Sequence, residues 1–328
     1  MSTACSVVDG ASASSSTYAQ ALALIDGFIE REGTASVIAI VGATGTGKSD
    51  LAERIAENLH LSVISADSMQ VYRRMDIGTA KVAPDERRVS YHGIDLIDPG
   101  EAYSAACYQS YARDVIEAEH RAGRPALLCG GSGLYIRAAC DDFDFAEGTL
   151  ADNPSRRRYE LLADEEGGEA LHRLLEERDP ESAALIHPHN VRRMVCALEL
   201  NEAGRSYARS TEGMSTYHAI YPALFIGIRY DRPQLYRRID ARVDDMMSQG
   251  LLDEVKGLVD DGYRDALTAM QAIGYKEFFP VLDGKVGLPE AVEDVKRATR
   301  RFAKRQGTWF GRDARIVWLD GSKTGERS

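Results

Sequence analysis

Residues 42–49 read Gly-Ala-Thr-Gly-Thr-Gly-Lys-Ser, a spacing suited to cradling phosphate. Along Gly42, Ala43, Thr44, Gly45, Thr46 and Gly47 the backbone N–H groups can turn inward onto phosphate oxygens. Lys48 adds a compact positive charge, and Ser49 offers a hydroxyl to a magnesium ion (Mg2+) that the phosphates also hold. The loop needs a strand before it and a helix after it. Val37–Val41 is an apolar run of buried-strand type, and Leu51, Ile55 and Leu59 follow at helical spacing. Most such loops hold a nucleoside triphosphate, and the rest of the chain decides whether this one does.

The elements that position the loop read as strands alternating with helices. Residues 61–65 and 125–129 are further buried strands, and residues 104–122 and a segment from Leu134 are helices. Ile94–Ile97 reads as a short extended piece closed by Asp98-Pro99-Gly100. This pattern predicts an α/β fold, a mostly parallel sheet of the P-loop NTPase type with helices on both faces. Residues 149–205 are charged, helical and poor in strand signals, so a helical lobe is expected as an insertion. Strand character returns at Ala223–Ile228 and Ile316–Leu319, with helices over 232–310. The expected organisation is an extension at 1–35, partly disordered, with one short amphipathic helix over Tyr18–Ile29; a core of 36–147 and 215–328; and a lobe at 148–214.

Ligands of open parallel sheets sit beyond the carboxyl ends of the strands. Besides the phosphate loop, two such ends carry reactive groups: Asp67, followed by Ser68, Met69 and Gln70, and Ser132 after Gly130-Gly131. Asp67 could join a magnesium shell, act as a general base or cap a helix. Ser132 could act at the site or cap the next helix, and Gln70 could read a base edge or solvate a helix. Met69 and Val71 read as packing residues, and His92 as structural.

The formal net charge of −11 disfavours a general nucleic-acid binder, but six of the ten residues at 296–305 are basic. A second cluster spans Arg229, Arg232, Arg237, Arg238 and Arg242. Each is either a solvated face or an anion site. The five scattered cysteines suggest free thiols in a reducing compartment and argue against structural zinc. The first 36 residues lack a signal-peptide pattern and no apolar run reaches membrane-spanning length, so a cytoplasmic protein without membrane contact is expected.

The 42–49 loop, the run Ser-Ala-Asp-Ser-Met-Gln-Val-Tyr-Arg-Arg-Met-Asp-Ile-Gly-Thr-Ala-Lys at 65–81 and Gly-Gly-Ser-Gly-Leu-Tyr at 130–135 resemble the transfer RNA dimethylallyltransferases. Later segments agree, among them 95–99, 197–199, 272–277 and 299–310, so the resemblance spans about residues 37–320. It implies transfer of a dimethylallyl group from dimethylallyl diphosphate to N6 of the adenosine next to the anticodon, in transfer RNAs reading codons that begin with U. It gives the phosphate loop a diphosphate to hold, with no nucleotide consumed. It makes Asp67 the general base, puts the Ser132 hydroxyl near the reacting atoms, and has Arg232 contact the diphosphate. RNA contacts are implied for Asp67, Ser68, Met69, Gln70 and Ser132; for Arg156; for Arg192, Arg193, Met194, Val195 and Cys196; and for Gln271, Ala272, Ile273, Gly274, Tyr275 and Lys276.

The chain departs from the family at Ser132, where threonine is more usual, and at Cys196, where arginine is frequent. It also ends without the zinc finger of some relatives from nucleated cells, which fits a bacterial-type enzyme, and a monomer is expected. Two rival readings are a cytokinin-type enzyme acting on free adenine nucleotides and a small-molecule kinase. The Asp67–Gln70 sequence, the inserted lobe and the 296–305 segment point to the RNA-modifying branch.

Overall fold

The computed structural model describes residues 16–142, 154–212, 217–266 and 268–323. Six strands form one sheet: β1 (Val37–Gly42), β2 (Val63–Ser65), β3 (Tyr91–His92), β4 (Ala126–Gly130), β5 (Ala223–Arg229) and β6 (Ile316–Asp320). Their order is β3-β2-β4-β1-β5-β6, and every neighbouring pair is parallel. This is the expected P-loop NTPase-like sheet. The strands read as unbroken apolar runs because helices cover both of its faces.

On one face lie α1 (Thr17–Glu32) and α2 (Lys48–Leu59), which bury Ala21, Ile25, Leu51 and Ile55 against Ile38, Ile40 and Leu127. The other face is covered chiefly by α3 (Ala105–Arg121), α4 (Gly133–Cys140), and, after the lobe, α10 (Arg232–Ser248), α11 (Leu251–Asp260), α12 (Phe279–Leu282) and α13 (Leu288–Phe310). Between them come α5 (Pro154–Glu166), α6 (Gly168–Arg178), α7 (Pro180–Leu185), α8 (Val191–Glu202) and α9 (Tyr207–Glu212). Tyr159, Leu171, Leu175, Met194 and Leu198 form a separate small core among these helices. The expected lobe boundaries, at 147/148 and 214/215, fall outside the described residues.

Two expectations change. Ile94–Ile97 is not a strand. The edge strand is Tyr91–His92, and only Ile97 makes a lone bridge, to Tyr72. Gly93 at φ +79° and Asp95 at φ +54° turn the chain away from extended geometry between them. The segment read as an extension also gives α1 to the core. Ala21 and Ile25 are fully buried, and the Thr17 hydroxyl donates to the Asp320 carbonyl at 2.8 Å, tying α1 to the end of β6. Disorder was expected over residues 1–16; Ser16 instead caps α1, accepting from the Ala19 N–H, and residues 1–15 lie outside the described residues.

Candidate active site and RNA-facing surfaces

Because the sheet is parallel, the phosphate loop after β1, Asp67 after β2 and Ser132 after β4 share one edge. Strands β2 and β4 are direct neighbours, with Ser65 opposite Cys129. Gly130 lets their ends meet: a Cβ there would lie 2.0 Å from the Ala66 carbonyl oxygen. That approach brings the Ser132 hydroxyl to the Asp67 loop. Ser132 Oγ accepts from the Ser68 N–H at 3.0 Å and donates to Ser68 Oγ at 3.2 Å. Ser132 stands at the N-cap of α4, but its side chain makes no capping bond there. Asp67 Oδ1 accepts from the Met69 N–H at 2.9 Å and so stabilises a turn, with no helix behind it to cap.

The loop itself is braced from within and from α10. Thr46 Oγ1 donates to the Ala43 carbonyl at 2.8 Å, and Arg238 Nε donates to the Gly45 carbonyl at 2.8 Å. Lys48 is partly exposed, yet burial of its ammonium among surrounding atoms lowers its pKa; Arg242 lowers it further and Asp67 raises it. The nearby Cys129 thiol is pushed up to about 11 by burial, stays neutral and contributes little charge. Burial also lowers Arg242, with Asp67 opposing and Arg238 adding to the effect. Lys48 and Arg242 thus feel the Asp67 charge, and Arg238 adds a third cation against the loop, an excess of positive charge suited to a multiply charged anion.

Sequence reading placed Arg238 and Arg242 only within a basic cluster and gave the diphosphate contact to Arg232. The structure puts Arg232 exposed at the start of α10, with no ion pair to a described residue. Arg238 and Arg242 stand four residues apart on one face of α10, a spacing that marks them out within the cluster.

No group of three metal-ligating His, Cys, Asp or Glu side chains occurs among the described residues. The residues at the loop nevertheless suit magnesium. Ser49 supplies a hard oxygen, the adjacent thiol is protonated, and the ion's remaining positions would fall to phosphate oxygens and water, as this ion prefers.

The 65–81 run is held as a rigid loop. Ser65 Oγ donates to Gln70 Oε1 at 2.8 Å, and Gln70 Nε2 donates to the Thr79 carbonyl at 3.2 Å, so both ends of this amide are engaged inside the protein. Lys81 Nζ donates to the Tyr72 carbonyl at 2.5 Å and pairs with Asp76 and Asp95, both at 2.7 Å. From α11, Glu254 accepts from the N–H groups of Asp76, Ile77 and Gly78 at 2.9, 2.7 and 3.1 Å, and from the Tyr275 hydroxyl at 2.7 Å. Glu254 carries no sequence motif, and its role was missed.

The residues expected to meet RNA separate by burial. Gln271, Lys276, Arg192 and Arg193 are exposed, while Ala272, Ile273 and Cys196 are partly buried. Gly274 is buried, and Tyr275 is fully buried beneath Gly78. Met194 and Val195 face the lobe core, which removes their side chains from any RNA surface. Arg156 forms a two-armed pair with the buried Glu199, at 3.1 and 2.8 Å. Met69 packs against the main core and Val71 is fully buried, as expected of packing residues. Burial raises the pKa of the Tyr72 phenol, with Thr268 and Arg192 opposing.

A family model described as IPP transferase matches residues 70–313, and one described as isopentenyl transferase matches residues 35–94. The chain belongs to the tRNA dimethylallyltransferase family. It is 44% identical over 286 residues to "tRNA dimethylallyltransferase 2" of Syntrophus aciditrophicus, covering 87% of this chain and 91% of that one. The tRNA dimethylallyltransferase of Bacillus subtilis is 43% identical over 286 residues, covering 87% and 90%. Among solved structures, the tRNA isopentenylpyrophosphate transferase of Bacillus halodurans is 42% identical with a TM-score of 0.63, covering 87% and 90%. A eukaryotic dimethylallyltransferase captured acting on tRNA is 29% identical with a TM-score of 0.74, covering 87% of this chain and 74% of that one. The chain is therefore a prenyltransferase of the tRNA-modifying kind. The isopentenyl transferase match is the shorter of the two and covers the phosphate loop and the Asp67 loop. No described helix is long and apolar enough to cross a membrane.

Proposed function

We propose that Asp67, Ser132 and the phosphate loop carry out dimethylallyl transfer from dimethylallyl diphosphate to N6 of the adenosine next to the anticodon. The observation that carries this reading is the meeting of the phosphate loop, the Asp67 loop and Ser132 at one edge of the sheet, with Arg238 of α10 bonded to the phosphate loop. The donor's C1–O bond breaks and its electron pair leaves with the diphosphate. The N6 lone pair forms the new C–N bond, and the N6 proton passes to Asp67. Loop N–H groups, Lys48 and the arginines meet the charge that grows on the departing oxygen. Magnesium, bound through Ser49 and the phosphates, would neutralise further charge on the diphosphate.

The adenine has to leave the anticodon-loop stack to reach Asp67. Residues 148–214 act as the lobe that grips the loop's backbone, with Arg192 and Arg193 exposed for that purpose. The free thiols Cys107, Cys129, Cys140 and Cys196 suit a reducing compartment, and the reading places the enzyme in the cytoplasm as a monomer.

The test is labelled dimethylallyl diphosphate with magnesium and unmodified tRNA, beside free AMP and ATP as rival acceptors. Label should enter RNA alone. Asp67→Asn preserves the turn acceptor but removes the base, so single-turnover rate should fall by about 10²- to 10⁴-fold with donor affinity unchanged. An unchanged rate would remove Asp67 from the chemistry, and label in AMP would favour the free-nucleotide reading.

A further inference from the structure

Helix α13 reaches the catalytic edge through one buried amide. Gln306 is 6% exposed, and both ends of its side chain are engaged. Its Oε1 accepts from the Thr44 N–H at 2.9 Å, and its Nε2 donates to the Gly131 carbonyl at 2.9 Å. Thr44 belongs to the phosphate loop after β1. Gly131 immediately precedes Ser132, after β4. The one side chain therefore spans two of the three loops that form the site. The fit is close: a Cβ at Gly131 would lie 2.4 Å from Gln306 Nε2. One turn further along, Trp309 packs where a Cβ on Gly133 would sit, 2.0 Å from its Nε1, so α13 is seated at this edge at two successive points. The neighbours of Gln306 in sequence, Lys304 and Arg305, are exposed.

We propose that Gln306 is a positioning residue for the diphosphate: from α13 it holds the phosphate loop and the Ser132 loop at a fixed separation. This rests on the reading that the loop binds the donor's diphosphate. Oε1 occupies the Thr44 N–H and so ties the phosphate loop to α13 beside β4. Nε2 fixes the carbonyl just before Ser132, and with it the approach of that hydroxyl to Ser68. A side chain here must offer one acceptor and one donor at once. Glutamine does so at any pH, whereas glutamate does so only when protonated.

That difference supplies the experiment. Binding of inorganic pyrophosphate and of dimethylallyl diphosphate is measured by calorimetry on the full chain, and tRNA affinity on the same samples. Gln306→Glu should bind both diphosphates about 10-fold or more weakly near pH 8, where a carboxylate faces the ligand and cannot donate to Gly131. Near pH 5.5 the deficit should shrink to about 3-fold as the carboxyl protonates and restores both bonds. tRNA affinity should stay within about 2-fold of the parent, since the RNA-facing cations are untouched. Gln306→Met fills the same volume without either bond. It should bind diphosphate weakly at both pH values, with no recovery, which separates the hydrogen bonds from packing.

Parent-like diphosphate binding by both variants overturns the proposal. So does a deficit in Gln306→Glu that ignores pH, or a parallel loss of tRNA affinity. If the parent chain itself binds no diphosphate, the functional reading fails and the proposal with it. Parent binding with unaffected variants refutes the proposal alone.

Discussion

Helix α13 separates its cations into two kinds, and the difference can be measured. Lys296 is largely buried and pairs with Asp244 at 2.7 Å, while half-buried Arg300 pairs with Asp240 at 2.5 Å. Both partners come from α10, so these two charges are met within the protein. Arg301, Lys304 and Arg305 are exposed, have no ion pair among the described residues, and line one groove with Trp309 and Arg312. Arg297 pairs with Asp294 one turn away, but both are exposed and such a pair is worth little.

Each phosphate contact contributes about 0.7 to 0.9 to the slope of log affinity against log salt, so the three free cations should supply about 2 to 3 units. Between about 50 and 200 mM salt, that share amounts to about 20- to 40-fold in affinity. The assay is titration of unmodified tRNA across that range. Arg301, Lys304 and Arg305 replaced together by Ala should flatten the slope by about 2 to 3, and Lys296 with Arg300 by less than about 1. Equal flattening by the two sets would refute the division into met and unmet charge. No flattening by either would show the face to be merely solvated.

Two further outcomes are expected. Glu254→Ala removes the acceptor of three backbone N–H groups and a buried phenol, so unfolding free energy should drop by about 2 to 4 kcal/mol and the chemical step should slow. A normal single-turnover rate in the folded variant would show that the 76–78 turn does not position Asp67. For Lys48 the sign follows from its lowered pKa: the charge is present below that value and lost as pH rises through it, before an ordinary lysine at about 10.4 would lose it. Diphosphate affinity should therefore fall with alkaline pH below that range, and Lys48→Arg should flatten the fall. A profile unchanged by that replacement would exclude the ammonium.

What was legible in the sequence and what was not differ by distance along the chain. The phosphate loop, Asp67 and Ser132 were readable because each follows a strand directly, and a parallel sheet delivers all strand ends to one edge. Gln306, Glu254 and Arg238 were not, because each acts on backbone 175 to 262 residues away. Glutamine in a basic helical run looks like a solvated polar residue until Thr44 and Gly131 are seen at its two ends. Burial of the Met194 and Val195 side chains has another source: helical spacing alone puts 192, 193 and 196 outward and 194, 195 and 198 inward. Ile94–Ile97 had the β-branched content of a strand, but the positive φ at Asp95 leaves no such mark in composition.

Serine at position 132 allows a last deduction about how tightly the site is determined. Threonine would carry a methyl that limits χ1, and its absence would ordinarily free the hydroxyl to rotate. Here the hydroxyl accepts from the Ser68 N–H and donates to Ser68 Oγ, so the Asp67 loop supplies the constraint that a methyl would have supplied. That loop is in turn held by Gln70, Lys81 and Glu254. A single neutral hydrogen bond contributes about 1 kcal/mol, enough for two to hold one rotamer against its alternatives. Ser132→Thr should therefore leave the single-turnover rate within about 2-fold, while Ser132→Ala, which leaves the Ser68 N–H without its acceptor, should slow it by about 10-fold or more. If threonine instead raises the rate several-fold, the hydroxyl is not fixed by Ser68, and the rigid 65–81 loop does not extend its order to the reacting atoms.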